Sequence, residues 1–584
     1  MFGIAALLLL LLATTFATAA PNCPPLGPVF EKPRNFKSSA AIRAALANLT
    51  ETFQARDADN SAAVRANITS YSLEVFSISD TDPVVFSWHH TAPAHASSNV
   101  TNGGVKETDA DTVYRLGSLT KIFTVYTWLA QDGDVRWNEP ITKYVPELAK
   151  AADKAKDDPV GNVAWGEVTV GSLAGQLSGA VRDYGLMGEL TQTVDQNTAV
   201  QLGFPALNSS DPTLPKCGVW PHCNRTAYTN TGFQILAYAL ESIKGKPFQT
   251  LMEESILHPL NLSHTFYNKA PSNLGIIPGP GTPSDAQWDY QLGDENPAGN
   301  MYSSVRDISA LGRSIMRSTL LAPVLTNRWL KPAALTSEPN AGVGYPWGIR
   351  RIVLSSVTNG KRVVDAYNKA GRIGYYNSLL NLLPDYGVGF SVLLAGPNLP
   401  ANANFNLADV LGEQLLPALE AAAREQAQDT YGGSYYSNGG GNSSLKITTQ
   451  PDRPGLGIEN WVSNGTDMQY VAVVLAAGYA PVNPSIRLYP TGLETTVIPG
   501  EMDRENGRAA TKGKRVAYKA VFEDLNVPSR TPPSMFSTDC GSWVSLTGVT
   551  YGSMPLDQFF FEVDGSGRVV SIENAALRMV MRKG

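Results

Sequence analysis

The chain has 584 residues, 43% hydrophobic and 17% charged, an ordinary globular composition and too long for one core, since single cores stop growing beyond roughly 250–300 residues. At least two domains are expected. The net charge of −6 leaves no basic footprint for nucleic acid or an anionic membrane, so neither is an expected partner.

Residues 1–19 read as a secretory signal peptide, with an apolar run from Leu7 to Leu12 and an A-x-A-like site at Ala17-Thr18-Ala19. Cleavage after Ala19 is preferred, because cutting one residue later would leave Pro21 at the new N-terminus. The apolar run is shorter than the roughly 20 residues of a spanning helix, and no later segment is long and apolar enough to span. The expected location is extracellular. Asn-x-Ser/Thr sequons at Asn48, Asn67, Asn99, Asn208, Asn224, Asn261, Asn442 and Asn464 agree with a glycosylated secreted protein. In an oxidising compartment Cys217 and Cys223 are close enough to staple a short loop, which leaves Cys23 to tie the N-terminus to Cys540. Cys217, His222 and Cys223 could instead hold a metal, but no second ligand pair with zinc-like spacing accompanies them. His89, His90 and His95 flank a turn without an H-E-x-x-H pattern, so no metal site and no cofactor are expected.

Ala40 to Gln54 has the composition of a helix. Tyr71 to Ser79 and Val84 to His90 are strand-like runs across Asp80-Thr81-Asp82-Pro83, a hairpin signal. Leu119 to Ala130 is a helical segment stopped at Asp132-Gly133. After a long mixed region, Arg362 to Asn368 is β-rich and leads into Lys369-Ala370-Gly371, and Ser378 to Pro384 pairs with Val388 to Leu394 across Asp385-Tyr386-Gly387. Asn406 to Gln428 is helical, with apolar Leu407, Val410, Leu411, Leu415 and Leu419 on one face. Strands at both ends and helices between suit an antiparallel sheet covered by helices, with N- and C-terminal strands side by side. This first domain is placed at residues 30–428.

A Gly/Ser/Asn-rich patch from Tyr431 to Ser444 marks a boundary. Residues 429–584 read as an all-β, barrel- or sandwich-type domain, with short runs at Ser444–Thr449, Gln469–Leu475, Ile486–Tyr489, Arg515–Phe522, Gln558–Val563 and Arg568–Glu573. Its aromatics Tyr435, Trp461, Tyr470, Trp543, Phe559 and Phe561 are assigned to the barrel core rather than to a ligand pocket.

Ser118-Leu119-Thr120-Lys121 is an S-x-x-K motif where a strand-like segment turns into a helix. At i and i+3 the two side chains share a face, so the lysine amine can reach the serine hydroxyl and help deprotonate it. The free N–H groups at a helix N-terminus favour the oxyanion of acyl transfer. Alone the motif is weak, since most such spacings are N-capped helices with an exposed lysine, and it recurs at Ser443 and Lys446 in the Gly-rich patch. Tyr228-Thr229-Asn230 downstream and Lys369-Ala370-Gly371 opening a β-hairpin supply the missing context. Tyr375-Tyr376-Asn377, Tyr436-Ser437-Asn438 and Lys216-Cys217-Gly218 match the second and third patterns, but only Ser118, Tyr228 and Lys369 combine order, spacing and local structure. No G-x-S-x-G elbow is present.

Tyr114 to Lys121 resembles the signature of serine β-lactamases and D,D-peptidases, and especially of their related esterases and transacylases; Tyr-x-Asn is the version of class C β-lactamases, D,D-carboxypeptidases and these esterases. Val168 to Gly179 and Pro297 to Ser304 are similar to the superfamily's framework segments, so the likeness covers roughly residues 70–400, and fungal secreted β-lactamase-like proteins with a C-terminal β-domain are the nearest likeness. The resemblance implies an α/β (α+β) fold: a β-lactamase/transpeptidase-like antiparallel sheet flanked by helices, a helical subdomain, and a C-terminal barrel-like domain. It implies that Ser118 attacks a carbonyl, that Lys121 lowers the cost of deprotonating it, and that Tyr228 shuttles the proton to the leaving group. It places Asn230 on the acyl side of the substrate and Lys369 and Gly371 on the opposite wall, with the N–H groups of Ser118 and Arg372 as the oxyanion hole.

Ala370 departs from the threonine or serine of β-lactamases, which removes a bond to a substrate carboxylate worth about 1.5–3 kcal/mol. An ester or neutral amide therefore fits better, although Arg372 offers another anchor for a carboxylate. The expected protein is a secreted serine hydrolase acting on a small-molecule or peptide ester or amide, or a transacylase if another nucleophile replaces water. The alternative is a non-catalytic binding protein that keeps the fold. Oligomeric state is left open.

Overall fold

The computed structural model describes residues 23–96, 104–160, 162–183, 195–203, 226–279, 283–354, 362–437, 442–497, 513–526 and 541–584. The expected signal peptide, the sequons at Asn99, Asn208 and Asn224, and Cys217, Cys223 and Cys540 lie outside the described residues.

Helix α1 (Ala40–Ala58) begins where the Ser39 hydroxyl accepts the Ile42 N–H, an N-cap, and runs four residues past its expected end. Strands β1 (Ser70–Ser77) and β2 (Val84–His90) form the expected hairpin. They join β3 (Ala334–Leu335), β4 (Ala341–Val343), β5 (Gly348–Val353), β6 (Val363–Ile373), β7 (Tyr376–Leu383) and β8 (Val388–Ala395) in one antiparallel sheet, ordered β2-β1-β8-β7-β6-β5-β4-β3. Tyr71 lies opposite Leu394, so the first and last strands of the domain are neighbours, as expected.

Both faces of this sheet are covered, and the alternation along β7 shows how. Leu379 and Leu383 pack on α1 and on helix α5 (Ala403–Tyr431), with Ile42, Leu49, Phe53, Leu407 and Leu411. Leu380 and Leu382 face the helical region, which contains α2 (Thr120–Asp132), α3 (Thr231–Lys244) and α4 (Val305–Arg317). Period-2 alternation between two cores explains why these strands read as nearly continuous apolar runs. Helix α2 is buried on all sides from Thr120 to Leu129, as a helix at the centre of a core must be.

The leucines of α5 bury one stripe on the sheet, each contributing roughly 1.5–3 kcal/mol of transfer free energy. Its last turns belong to a different core. Ala423, Ala427 and Tyr431 pack inside the C-terminal domain with Val29 and Phe30 from the N-terminal segment. That domain is an eight-stranded antiparallel barrel of β9 (Gly433–Ser437), β10 (Ser444–Gln450), β11 (Arg453–Ser463), β12 (Pro484–Val497), β13 (Gly513–Asp524), β14 (Gln558–Val563), β15 (Val569–Asn574) and β16 (Met579–Lys583). Each strand pairs with its sequence neighbour, and β16 pairs back with β9 to close the barrel. Closure leaves no unpaired barrel edge.

Three expectations are corrected. Gln469–Leu475 is not a strand: helix α6 (Met468–Ala477) starts where Asp467 accepts the Tyr470 N–H and ends at Gly478, whose φ is 75°. Burial there falls on Met468, Ala472 and Val473, the spacing of a helix face. The Gly-rich patch is no long linker, because α5 passes into β9 with only Gly432 between. Tyr435, Trp461, Phe559 and Phe561 are fully buried in the barrel, whereas Tyr470 and Trp543 are exposed on its surface.

Asn48, Asn67, Asn261, Asn442 and Asn464 are all exposed. Cys23 is buried, its Sγ 3.9 Å from the Ser542 hydroxyl oxygen, two positions along the chain from Cys540. Among the described residues no helix is long and apolar enough to cross a membrane.

Candidate active site

Ser118 sits in a single 3-10 turn, Gly117–Leu119, that runs directly into α2. The turn is pressed against β6. Gly117 has φ 54°, and a Cβ added there would lie 2.6 Å from the Arg372 backbone nitrogen. A Cβ on Gly371 would meet the Leu116 carbonyl at 1.9 Å. Both glycines are therefore steric requirements of the contact between the serine turn and the Lys369-Ala370-Gly371 strand. The Ser378 hydroxyl on β7 donates to the same Leu116 carbonyl at 2.6 Å.

Two side chains, one three residues and the other 110 residues along the chain, meet at the Ser118 oxygen. The Ser118 Oγ accepts from the Tyr228 hydroxyl at 2.6 Å and from Lys121 Nζ at 3.1 Å. Lys121 Nζ also donates to Asn230 Oδ1 at 2.6 Å and to the Ala298 carbonyl at 2.8 Å. Because α2 is a core helix, Lys121 has no solvent exposure. Burial lowers its pKa to about 7, opposed by the charges of Glu295 and Asp183 and assisted by that of Arg182.

Tyr228 and Asn230 stand just before α3, and Thr229 between them anchors the segment. Its N–H donates to Gln176 Oε1 at 2.7 Å and its hydroxyl to the Val181 carbonyl at 2.8 Å. Gln176 follows the short helix Val170–Ala174, which is capped by a Thr169–Ser172 capping box. The framework segment at 168–179 thus holds the tyrosine, and the one at 297–304 supplies the Ala298 carbonyl to the lysine.

Three cations surround the Tyr228 ring: Lys121 Nζ at 4.9 Å, Arg182 Cζ at 5.1 Å and Lys369 Nζ at 5.5 Å from its centroid. Lys369 is buried, and that burial lowers its pKa to about 8, opposed by Tyr228 and assisted by the charge of Lys121. Its Nζ donates to the Ala370 carbonyl at 2.7 Å. The Ala370 methyl packs with the cluster beneath α5, so the middle residue of this motif brings no donor to the cleft.

Arg372 lies opposite Asn377, one step from the Ile373–Tyr376 pair that closes a two-residue turn. That is a non-hydrogen-bonded position, where the backbone N–H faces away from the partner strand. Its side chain is exposed, and its guanidinium donates to the Leu399 carbonyl at 3.4 Å.

A cavity of about 260 Å³ opens beside Ser118, with Asn230, Gln287, Tyr290, Glu295 and Arg372 in its walls. A larger one, about 550 Å³, lies on the opposite face of the sheet beneath α5 and is remote from Ser118. The decoy Ser443 is buried in the barrel, where its Oγ accepts the Asn464 N–H at 2.8 Å, and Lys446 pairs with Glu459 at 3.2 Å. Among the described residues no cluster of three or more His, Cys, Asp or Glu could hold a metal ion. His90 instead pairs with Asp57 at 3.2 Å, and His95 contacts the Val105 carbonyl at 2.6 Å.

The β-lactamase family matches residues 72–412, the span that holds Ser118, Lys121, Tyr228, Asn230, Lys369 and Arg372. The chain belongs to the β-lactamase family. A second family, the C-terminal domain of β-lactamase-like-like proteins, matches residues 423–584. A β-lactamase-like protein of Arthroderma benhamiae is 29% identical, over 98% of each chain. A probable hydrolase of Phoma sp., M10, is 26% identical, over 88% of this chain and 84% of its own. A penicillin-binding protein homologue of known structure from Pyrococcus abyssi covers 82% of this chain and 98% of its own, at 16% identity and a TM-score of 0.45. The protein is a serine hydrolase of the β-lactamase and penicillin-binding type.

Several polar residues of this site escaped the motif reading. Asp183 accepts a short hydrogen bond from Asn230 Nδ2, orienting the amide whose oxygen faces Lys121. Arg115, fully buried three positions before Ser118, donates to the carbonyls of Gln287 and Tyr290 and to Asn300 Oδ1, and so ties one cavity wall to the nucleophile's strand. Arg115 lay within the signature segment; Asp183 sits in an irregular loop and Glu295 ends a single 3-10 turn, Gly293–Glu295, and neither carries a sequence pattern.

Proposed function

We propose that the protein is secreted and cleaves an ester or amide through an acyl-enzyme on Ser118, with Lys121 and Tyr228 as the proton-transfer pair. The observation that carries this reading is the double donation to Ser118 Oγ, from a phenol at 2.6 Å and from a buried amine lowered to about 7. A lysine at that value is half neutral near pH 7, which makes it an effective general base. Ser118 Oγ adds to the substrate carbonyl while its proton passes to Lys121 Nζ. The developing oxyanion is held by the N–H groups of Ser118 and Arg372. Tyr228 relays the proton to the leaving alkoxide or amine, which departs as the acyl-enzyme forms. Water then adds to the acyl-enzyme and the same groups run in reverse; an alcohol or amine in place of water would make the reaction a transfer.

Asn230 and Lys369 flank the reacting carbonyl in this reading, and Gly371 lets the strand approach the serine turn. The missing hydroxyl at Ala370 and the outward guanidinium of Arg372 favour an acyl donor without an α-carboxylate. Export is supported by the leader-like residues 1–19 and by five exposed sequon asparagines. The position of Cys23 beside Ser542 supports a Cys23–Cys540 disulfide, with Cys217 and Cys223 as a second pair.

The test is the mass of the deglycosylated protein after exposure to p-nitrophenyl acetate or to a penicillin. Wild type and Ser443→Ala should gain an acyl adduct or turn the reagent over, and Ser118→Ala should do neither. A Ser118→Ala protein that still acylates would refute the assignment. Wild type that neither acylates nor turns over either reagent would move the balance to a binding protein.

A further inference from the structure

The cavity of about 550 Å³ beneath α5 lies within the size range of small-molecule sites, roughly 300–1,000 Å³. Period-2 alternation turns Ala366 and Asn368 of β6, and Leu379, Asn381 and Leu383 of β7, into it. Asn368 lies directly opposite Asn381, and Asn381 lies opposite Phe390 of β8 on its other side. From these three strands the cavity thus receives apolar side chains and one pair of carboxamides. Both asparagines are only 6% exposed, and neither carboxamide has a hydrogen-bond partner among the described residues. A buried amide without a partner costs more than an apolar side chain of the same shape. Leucines would therefore be the more stabilising pair unless a ligand bonds the amides.

The helix over the cavity departs from the stable choice in the same way. Gly412 lines the cavity from the interior of α5, where glycine is the poorest helix former after proline. Unlike Gly117 and Gly371, it meets no crowding, since a Cβ there would have nothing within 4 Å. The glycine leaves room in the cavity rather than allowing a close approach. The charged lining residues Arg350, Asp409 and Glu413 are exposed and stand at the mouth. A charge at the asparagine pair would therefore lie against neutral dipoles and apolar surface, which disfavours it. We propose that this cavity is a second ligand site, separate from the Ser118 cleft, for a neutral small molecule with an apolar body and a terminal carboxamide. Such a group both donates and accepts, so it bonds the two asparagines together, while its body packs on Leu379, Leu383, Phe390 and Leu416. The site does not depend on the chemistry assigned to Ser118.

The test is calorimetry on the full-length protein carrying Ser118→Ala, so that no amide is cleaved. The probes are 6-phenylhexanamide, 7-phenylheptan-2-one, in which a methyl replaces the amide nitrogen, and 6-phenylhexanoate, which is charged. The amide should bind saturably, and about 5-fold or more tighter than the ketone or the carboxylate. Gly412→Leu fills the cavity from α5 and should weaken amide binding about 10-fold or more. No saturable amide binding, equal affinity for the amide and either other probe, or amide binding unchanged in Gly412→Leu would each overturn the site. If Gly412→Leu does not fold, Asn381→Leu decides instead. It replaces an unpartnered carboxamide by an apolar group of similar size, and should bring the amide-to-ketone preference towards one. A preference that Asn381→Leu leaves unchanged would overturn the site as well.

Discussion

Replacing Lys121 by arginine keeps a cation on α2 but removes the group proposed to accept the serine proton. Burial lowers the Lys121 amine to about 7, so its neutral form dominates above that pH and is lost below it. Each pH unit below the pKa removes a factor of ten, and two units below, near pH 5, about 1% of the amine is neutral. Wild-type kcat/KM for p-nitrophenyl acetate should therefore fall about 100-fold from its plateau to about pH 5. On the alkaline side, Lys369 is lowered to about 8 and loses its charge above that, which should bend the profile into a bell. The two ammonium groups face the same Tyr228 ring, so the two limbs belong to the pair rather than to either lysine. An arginine side chain does not deprotonate below a pKa of about 12. Lys121→Arg should lose about 10²- to 10⁴-fold in kcat/KM on the wild-type plateau and, with no acid limb left, proportionally less towards about pH 5. A flat wild-type profile between about pH 5 and pH 9, or a variant within about fivefold of wild type with the same acid limb, would refute the role of Lys121.

Tyr228→Phe keeps the ring that contacts Lys121 and Lys369 but removes the hydroxyl 2.6 Å from Ser118; kcat should fall about 10²-fold or more with KM little changed. Away from the site, burial works against the His90 imidazolium, but bonds to Asp57 and to the Ala66 carbonyl outweigh it and raise the His90 pKa. That stability is fully present below the unfolded pKa of about 6.5 and is lost as pH rises through the folded value, so Asp57→Asn should cost about 1 kcal/mol more at about pH 5.5 than at about pH 8.5, read from thermal unfolding. Tyr431→Ala removes a ring that stacks edge-on against Phe561 at 4.8 Å and Tyr518 at 5.3 Å where α5 enters the barrel; it should cost about 3–5 kcal/mol in denaturant unfolding.

How much of this was legible beforehand depends on whether the deciding contact is local. The Ser118–Lys121 spacing is a property of one helix, so it could be read directly, and so could the hairpin at Asp80–Pro83 and the stripe on α5. Lys369 and Tyr228 were chosen over their decoys by order and setting, and the geometry bringing them to Ser118 comes from Gly117 and Gly371 pressing two distant segments together. The strand expected at Gln469–Leu475 failed because its valines favour strands, while the Asp467 cap and the left-handed Gly478 favour a helix of one buried face. Asp183 and Glu295 could not be found at all, since a carboxylate in a loop or a single 3-10 turn looks like solvated surface until the fold buries it.

The arrangement of charge explains why those two acids matter as much as the motifs. Lys121, Arg182 and Lys369 converge on one ring, and like charges so close would each oppose the others. Asp183 neutralises Arg182, and Glu295 offsets Lys121 while it is protonated. Lys369 donates to the Ala370 carbonyl and lies over the face of Tyr228, and burial, assisted by the charge of Lys121, lowers its pKa to about 8. When Lys121 gives up its proton, one of the three cations around the Tyr228 ring is lost, and the opposition of its charge to protonated Lys369 goes with it. Negative charge developing at the reacting centre would then approach a protonated Lys369 on β6.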